Sequence, residues 1–305
     1  MQAPPNPSRV LLSGASGMLG TAIRRSLLAR KVPVLQLVRG SSTPGQLAWN
    51  LAASPPIEDT RPLEASLAAI HLSGASVAGH RWTPAYRRAM ATSRVGTTQA
   101  LTTLLAGLRQ PPQVLVVASA IGFYGDRGEE ILDESSDSGT GFLADLCNKW
   151  EAAALPAVQA GIRVVQLRFG VVLGPGGGAL AQMLPIFRLG LGGRLGSGRQ
   201  WMSWVSQTDV VRAALFAVET PSLAGPVNVA APHPVRNADF TRALAAALYR
   251  PALLPAPAFA LRLAFGQMAD EALLASARAI PAKLEAAGFQ FTHPRLDEAL
   301  KAALV

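Results

Sequence analysis

The chain predicts an α/β fold: a doubly wound parallel sheet carrying a smaller, mostly C-terminal lobe. Three observations carry the prediction. The stretch Gly14-Ala15-Ser16-Gly17-Met18-Leu19-Gly20 follows the apolar run Val10-Leu11-Leu12 and opens a helix-like segment over 18–30. Short apolar runs then alternate with segments of helical spacing, which marks a sheet wound with helices. Finally, Val114-Leu115-Val116-Val117-Ala118 is continuously apolar, as a parallel strand covered on both faces must be.

The elements follow in order. Strands are expected at 9–13 and 32–38, with Pro33 near the start of the second, where it removes no central ladder bond. Ile70-His71-Leu72 reads as a short buried strand after a polar, proline-rich connection. The span 84–108 has helical spacing and starts behind Thr83, a suitable cap. Strand 114–118, a helix over 141–160 and strand 162–167 continue the alternation. Glycine becomes dense from Gly174 to Gly198, and Val227-Asn228-Val229 reads as one more strand returning to the sheet. Beyond Pro232 the chain is alanine-rich and helical. The expected division is a nucleotide-binding domain over 8–174 with the returning strand near 226–230. The smaller substrate lobe takes 175–225 and 231–305.

Composition narrows the function classes. With 305 residues, half of them apolar and 15% charged, the chain can bury a large core and is not disordered. A single cysteine, Cys147, excludes an internal disulfide and a cysteine metal cluster, and the four histidines lack zinc spacing. No metal is expected. Met1–Ser8 lacks the order of a signal peptide, and the best apolar run, 251–265, is broken by Pro255, Pro257 and Arg262. A cytoplasmic protein with no membrane partner is expected, as a monomer or homodimer. The net charge of +9 comes from scattered arginines with no basic run. It favours anionic small molecules over nucleic acid.

The glycine turn carries the chemistry. Strand, glycine turn and helix form a Rossmann-like cradle for a dinucleotide diphosphate. Gly14 permits the turn, Gly17 lets phosphate approach, and Gly20 lets helix pack on strand. Free N–H groups at the helix start, from Ser16 through Leu19, face the negative charge. After the second strand, at the place where NAD-binding chains carry an acid for the ribose, stands Arg39, followed by Ser41 and Ser42. A guanidinium binds a 2′-phosphate by charge-assisted bonds, where a carboxylate would repel it. NADP (NADPH) is therefore favoured over NAD. The other readings of Arg39 are adenine stacking and plain solvent exposure.

These residues resemble the extended short-chain dehydrogenase/reductases, the NAD(P)-dependent epimerase/dehydratase-like family. Ala118-Ser119-Ala120-Ile121-Gly122-Phe123-Tyr124-Gly125-Asp126 is similar to the segment after their central strand. Further words narrow the resemblance to the atypical YfcH- and SDR39U1-type branch with its DUF1731-like C-terminal segment. They include Leu72-Ser73-Gly74-Ala75, Arg81-Trp82-Thr83, Cys147-Asn148-Lys149-Trp150-Glu151, Gly196-Ser197-Gly198-Arg199-Gln200 and Pro281-Ala282-Lys283-Leu284. The resemblance covers nearly all of 9–304. It implies a coenzyme site that also includes Ser73, Gly74 and Ala118. It also implies a small-molecule substrate, anionic or sugar-nucleotide-like.

The resemblance further implies a Tyr-x-x-x-Lys pair on the helix before Trp150-Glu151, the tyrosine moving a proton and the lysine lowering its pKa. Aligned on Glu151, Leu143 takes the tyrosine place and Cys147 the lysine place. Candidate substitutes are Ser119, at the end of the central strand, and Tyr124, five residues on. A capping serine and a buried structural tyrosine are the competing readings. Arg199 and Trp201, with Arg81 and Trp82, are the expected substrate contacts, against roles in lobe packing or loop anchoring. Asp209 is expected to cap a helix from Val210. The expected function is an NADP-binding epimerase or oxidoreductase-like enzyme. The alternative is an NADP-binding regulatory or scaffold protein, of the plastid-division-related type, with little turnover.

Overall fold

The computed structural model describes residues 9–51, 53 and 55–304. Met1–Ser8, the first residue of the expected nucleotide-binding domain and the last of the chain therefore lie outside the described residues. The order begins β1 (Val10–Ser13), α1 (Met18–Ala29), β2 (Val34–Val38), β3 (Gln46–Ala48) and β4 (Ala68–His71). It continues with α2 (Pro84–Ala91), a π-helical turn (Thr92–Gly96), α3 (Thr97–Ala106), β5 (Val114–Ala120), β6 (Ile131–Leu132), α4 (Phe142–Ala152) and α5 (Leu155–Gln159). Next come β7 (Arg163–Phe169), β8 (Val171–Leu173), α6 (Gly178–Arg188), β9 (Trp201–Met202), β10 (Trp204–Ser206) and α7 (Gln207–Glu219). The last are β11 (Gly225–Val229), β12 (Val235–Arg236), α8 (Asn237–Ala247), α9 (Ala258–Phe265), β13 (Arg278–Ala279), α10 (Ala282–Ala286) and α11 (Leu296–Leu304).

Seven strands form one sheet in the order β11-β7-β5-β4-β1-β2-β3, and every pairing in it is parallel. The doubly wound expectation therefore holds. One face buries Ile23 and Leu27 of α1 with Val210, Ala214 and Ala217 of α7. The other buries Leu101 and Leu105 of α3 with Trp150 and Ala157. A third apolar cluster joins Leu180, Trp204, Phe240, Leu244 and Leu300 away from the large sheet. No helix among the described residues is long and apolar enough to cross a membrane.

Several expected boundaries shift for physical reasons. The span 84–108 is not one helix: Thr83 caps α2 by accepting from the Tyr86 N–H, but the π-helical turn Thr92–Gly96 interrupts the run. The span 141–160 likewise splits, and α5 restarts with Pro156 in its first turn, where the missing N–H costs nothing. Helix α7 begins earlier than expected, at Gln207. Ser206 is its cap, and its hydroxyl both accepts from the Asp209 N–H (3.0 Å) and donates to the Asp209 carboxylate (2.8 Å). Asp209 itself is fully buried and receives the N–H groups of Thr292 and His293, so it pins the C-terminal segment to α7. Strand β3 was not anticipated, because three half-exposed residues carry no period-2 signal.

The start of α1 depends on two absent side chains. Gly14 has φ +69°, and a Cβ there would stand 2.8 Å from the Leu72 carbonyl carbon. A Cβ at Gly20 would stand 2.1 Å from the Gly14 carbonyl oxygen. At Gly17 the corresponding approach is 3.4 Å, an ordinary contact. Gly20→Ala is therefore expected to cost about 3 kcal/mol or prevent folding. Gly17→Ala should leave stability within about 1 kcal/mol. Urea denaturation of both variants checks this, and equal losses would contradict the geometry.

Candidate coenzyme and active site

A cleft of about 920 Å³ opens above the C-terminal ends of β1, β2 and β4. Such crevices are the ligand sites of open parallel sheets. Of the expected coenzyme residues, Gly14, Ser16, Gly17, Arg39, Ser73 and Gly74 line it. Helix α1 meets the cleft at Gly17, with no side-chain cap and no acid in its first turn. Its first N–H groups thus keep their capacity for an anion.

The structure adds residues that sequence reasoning missed. Arg24 faces the same cleft as Arg39, from one turn beyond Thr21, and neither guanidinium has an ion-pair partner among the described residues. Helical spacing from Thr21 to Arg24 was the available signal. Trp49, 4% exposed and edge-on to His71, closes the cleft beside Arg39. Only its tertiary position reveals it, since it follows the unanticipated β3.

Other expected coenzyme residues sit differently. Met18 and Leu19 are not among the residues that line the cleft. The Met18 side chain packs on Gly177 and Gly178, its carbonyl accepts from Gln207 (3.1 Å), and Leu19 packs on the sheet core. Ser41 is exposed and outside the cleft lining, whereas Ser42 lines an adjoining hollow with Arg39. Ala118 is buried in the core.

Beneath the cleft runs a directed hydrogen-bond chain. Ser73 donates to Ser13 Oγ (3.2 Å), and Ser13 Oγ lies 2.6 Å from His71 Nδ1. His71 Nε2 lies 3.1 Å from Thr97 Oγ1, whose hydroxyl donates to the Ser93 carbonyl. Since Ser13 receives one proton and gives its own to Nδ1, the His71 proton resides on Nε2. Burial pushes the His71 pKa down to about 3.

At the end of β5 the expected catalytic residues join a buried network. Ser119, 2% exposed, donates to Glu151 Oε1 (2.6 Å). Glu151 forms a two-pronged pair with Arg168 (2.8 and 2.8 Å). Arg168 lies 3.4 Å from the Phe123 ring centroid and donates to the Tyr124 hydroxyl (3.0 Å). That hydroxyl is within 2.8 Å of both the Asp133 carbonyl and Asn228 Oδ1. Tyr124 is fully buried, and burial raises its pKa. The expectation that Tyr124 approaches the pocket is thus corrected: its phenol is enclosed between β5, β7 and β11. Ser119 spends its proton on Glu151 and does not point a free donor at the cleft.

Helix α4 brings Leu143 and Cys147 beside Gly122, whose added Cβ would lie 3.3 Å from Leu143 Cβ and 3.9 Å from the Cys147 sulfur. Burial pushes the Cys147 thiol up to about 12, so it is not ionised at neutral pH. The C-terminal segment reaches this helix: Glu271 accepts from the N–H groups of Phe142 and Leu143 (3.1 and 2.8 Å).

The expected substrate residues divide. Arg81 and Arg199 are exposed. Trp82 is 6% exposed, donates to the Val77 carbonyl (2.8 Å) and packs on Phe142, which is loop anchoring. Trp201 lies between Arg236 (4.1 Å) and Arg278 (4.3 Å) and donates to Glu129 (3.0 Å). Both indoles are therefore occupied by protein groups. No cluster of three or more potential metal ligands occurs among the described residues.

Parallel sheet, uncapped helix and crevice together define the Rossmann-like class of α/β proteins. The NAD dependent epimerase/dehydratase family model matches residues 10–230, and the DUF1731 domain of unknown function matches 256–303. Epimerase family protein Mb2239 of Mycobacterium bovis is 45% identical over 292 residues, covering 95% of this chain and 96% of that protein. The Homo sapiens epimerase family protein SDR39U1 is 37% identical over 298 residues, covering 96% and 98%. The crystal structure of human SDR39U1 (isoform 2) with NADPH superposes with a TM-score of 0.89 at 36% identity, covering 97% and 98%. MoeE5 in complex with UDP-glucose and NAD shares the fold, with a TM-score of 0.75 at 20% identity. The chain belongs to the NAD dependent epimerase/dehydratase family, and its relatives are SDR39U1-type epimerase family proteins.

Two outcomes are expected from the buried groups. Because the unfolded His71 titrates near its ordinary 6.5 and the folded one near 3, the unfolded state binds the extra proton between those values. Stability is retained above about pH 6.5 and falls as pH drops toward 3, with a slope up to about 1.4 kcal/mol per unit. Denaturation midpoints across pH 4–8 should show a shallower acid slope in His71→Asn. Separately, Glu151→Ala leaves Arg168 buried and unpaired and should cost about 3–5 kcal/mol, read by chemical denaturation at pH 7.

Proposed function

We propose that the chain is an NADPH-dependent epimerase or oxidoreductase acting on a small, anionic or sugar-nucleotide-like substrate. The observation that carries this reading is the convergence of two unpaired guanidiniums, Arg24 and Arg39, on the cleft that the open N-terminus of α1 enters. The diphosphate lies on the N–H groups between Ser16 and Gly20, and the 2′-phosphate lies between Arg24 and Arg39. Ser73 and Gly74 flank the nicotinamide side, across β1 from Arg39. The reading is supported by the human relative crystallised with NADPH. When bound, the coenzyme supplies the hydride. The residues 175–225 and 231–305 form the substrate side, with Arg81 and Arg199 offering exposed cations to an anionic substrate.

A second reading is an NADPH-binding regulatory or scaffold protein with little turnover. Helix α4 favours it, because Leu143 and Cys147 stand where the family resemblance places a tyrosine and a lysine. The enclosure of Tyr124 favours it too. Turnover assays with NADPH, NADP and a panel of carbonyl compounds and sugar nucleotides, with product analysis for redox-neutral epimerisation, separate the two readings. Conversion by the wild type supports the enzyme, whereas binding without conversion supports the regulator.

The coenzyme assignment makes its own prediction. In calorimetric titrations, Arg39→Ala should weaken NADPH binding at least about ten-fold, some 1.4 kcal/mol. NADH affinity should stay within two-fold, and the stably folded Gly17→Ala should weaken both coenzymes. Equal losses for NADPH and NADH in Arg39→Ala would remove the 2′-phosphate assignment.

A further inference from the structure

Nine of the 14 large apolar side chains exposed among the described residues lie in two segments, 186–191 and 249–265. They include Leu189 (72% exposed), Leu253 (82%), Phe259 (73%) and Leu263 (78%). The chain around the end of α6 runs beside the second segment. A Cβ on Gly190 would touch Pro251 at 3.4 Å, and one on Gly193 would overlap the Leu254 carbonyl oxygen. Further along, the Ala256 N–H donates to the Arg194 carbonyl, and the Gly196 N–H donates to the Ala256 carbonyl. Helix α9 continues the exposed face: Leu261 is buried, whereas Phe259, Arg262 and Leu263 are exposed at i, i+3 and i+4. Single exposed apolar residues are ordinary, but a gathering of them marks an interaction surface. None of the nine except where the fold turns inward lines a wall of the coenzyme cleft, whose lining residues all lie elsewhere in the chain.

The charge around this face has one sign. Residues 171–208 and 240–269 contain no aspartate or glutamate. Arg188, Arg194, Arg250 and Arg262 are all exposed there. Of these four, only Arg262 has an ion-pair partner among the described residues, Asp270 at 2.8 Å. A symmetric dimer through this face would set it against its own copy. The unpaired arginines would then meet one another with no acid in either segment to receive them, and like charges across an interface are costly. An anionic lipid surface satisfies both features. Its acyl boundary accepts the apolar side chains, and its headgroup phosphates accept the guanidiniums.

We propose that the face formed by α9 and the end of α6 docks on an anionic lipid bilayer surface. Leu253, Phe259 and Leu263 enter the acyl boundary, and Arg188, Arg194 and Arg250 lie at the level of the phosphates. The run 251–265 is broken by Pro255, Pro257 and Arg262, which stops it from spanning a bilayer. Lying in the interface asks only for an apolar face with a basic border. The expectation of no membrane partner rested on the missing span, and surface docking needs none. The proposal goes beyond the coenzyme reading and does not rest on it.

Vesicle co-flotation of the full chain tests it, with phosphatidylcholine vesicles and with equimolar phosphatidylcholine–phosphatidylglycerol vesicles at about 0.1 M salt. Wild type should partition to the anionic vesicles at least ten-fold more strongly than to the neutral ones. Phe259→Ser with Leu263→Ser should lose at least ten-fold, and so should Arg188→Glu with Arg250→Glu. Leu155→Ser, at an exposed leucine of α5, should stay within two-fold of wild type. These changes fall on exposed side chains, so melting temperatures should stay near that of wild type. If the α9 pair does not fold, Leu189→Ser with Leu253→Ser takes its place, and failure of both pairs assigns the face to the scaffold and overturns the proposal. Wild type that ignores the anionic vesicles or partitions equally to both kinds overturns it. So do unchanged partition in the apolar or the arginine variant and an equal loss in Leu155→Ser. Light scattering without vesicles covers the other occupant: a dimer that the α9 pair converts to monomer assigns the face to a second copy and overturns the lipid proposal.

Discussion

Close seating of α1 against the turn that follows β1 is the constraint on which the site depends. The helix can approach only because Gly20 leaves the Gly14 carbonyl unobstructed, and the turn can form only because Gly14 reaches φ +69° beside Leu72. That approach sets the direction of the helix axis. Its uncapped N–H groups consequently meet the crevice at the ends of β1, β2 and β4. A bulkier residue at either glycine would move the helix and blunt this anion-seeking edge of the sheet.

Charge is distributed over this frame by pairing. Arg168 is closed by Glu151, Arg236 by Glu129, and Arg212 contacts Asp209. Those cations hold elements together: β7 to α4, β12 to the loop after Gly128, and α7 to its own first turn. Arg24 and Arg39 have no ion-pair partner among the described residues, and both line a single crevice. Paired cations act as internal ties, and unpaired ones retain attraction for a ligand. Which of the scattered arginines are tied to a carboxylate and which line the crevice is decided only by folding.

Much of the fold was legible locally. Short, mostly apolar runs marked the buried strands, because parallel strands covered on both faces admit little else. The glycine spacing marked the crevice, and Thr83 marked the start of α2. What escaped was either short or non-local. Strand β3 lacks a pattern of its own and brings Trp49 to the cleft through pairing with β2. The π-helical turn in 84–108 keeps helical composition and changes only the winding. Tyr124, Trp82 and Trp201 present suitable chemistry in sequence, yet each is engaged by Asn228, Phe142 or a pair of arginines from distant segments.

The sequence by itself determined the α/β class, the position of the anion-binding turn and the presence of a cation after β2. Each of these is a matter of side-chain period or backbone freedom within about ten consecutive residues. Tertiary structure alone decided which polar groups remain available. Ser119 and Tyr124 are spent inside the Glu151–Arg168 network, while Arg24 and Arg39 line the cleft without an ion-pair partner among the described residues. Availability depends on partners that are remote in the chain, such as Ser119 with Glu151 and Tyr124 with Asn228, and no local pattern encodes those meetings.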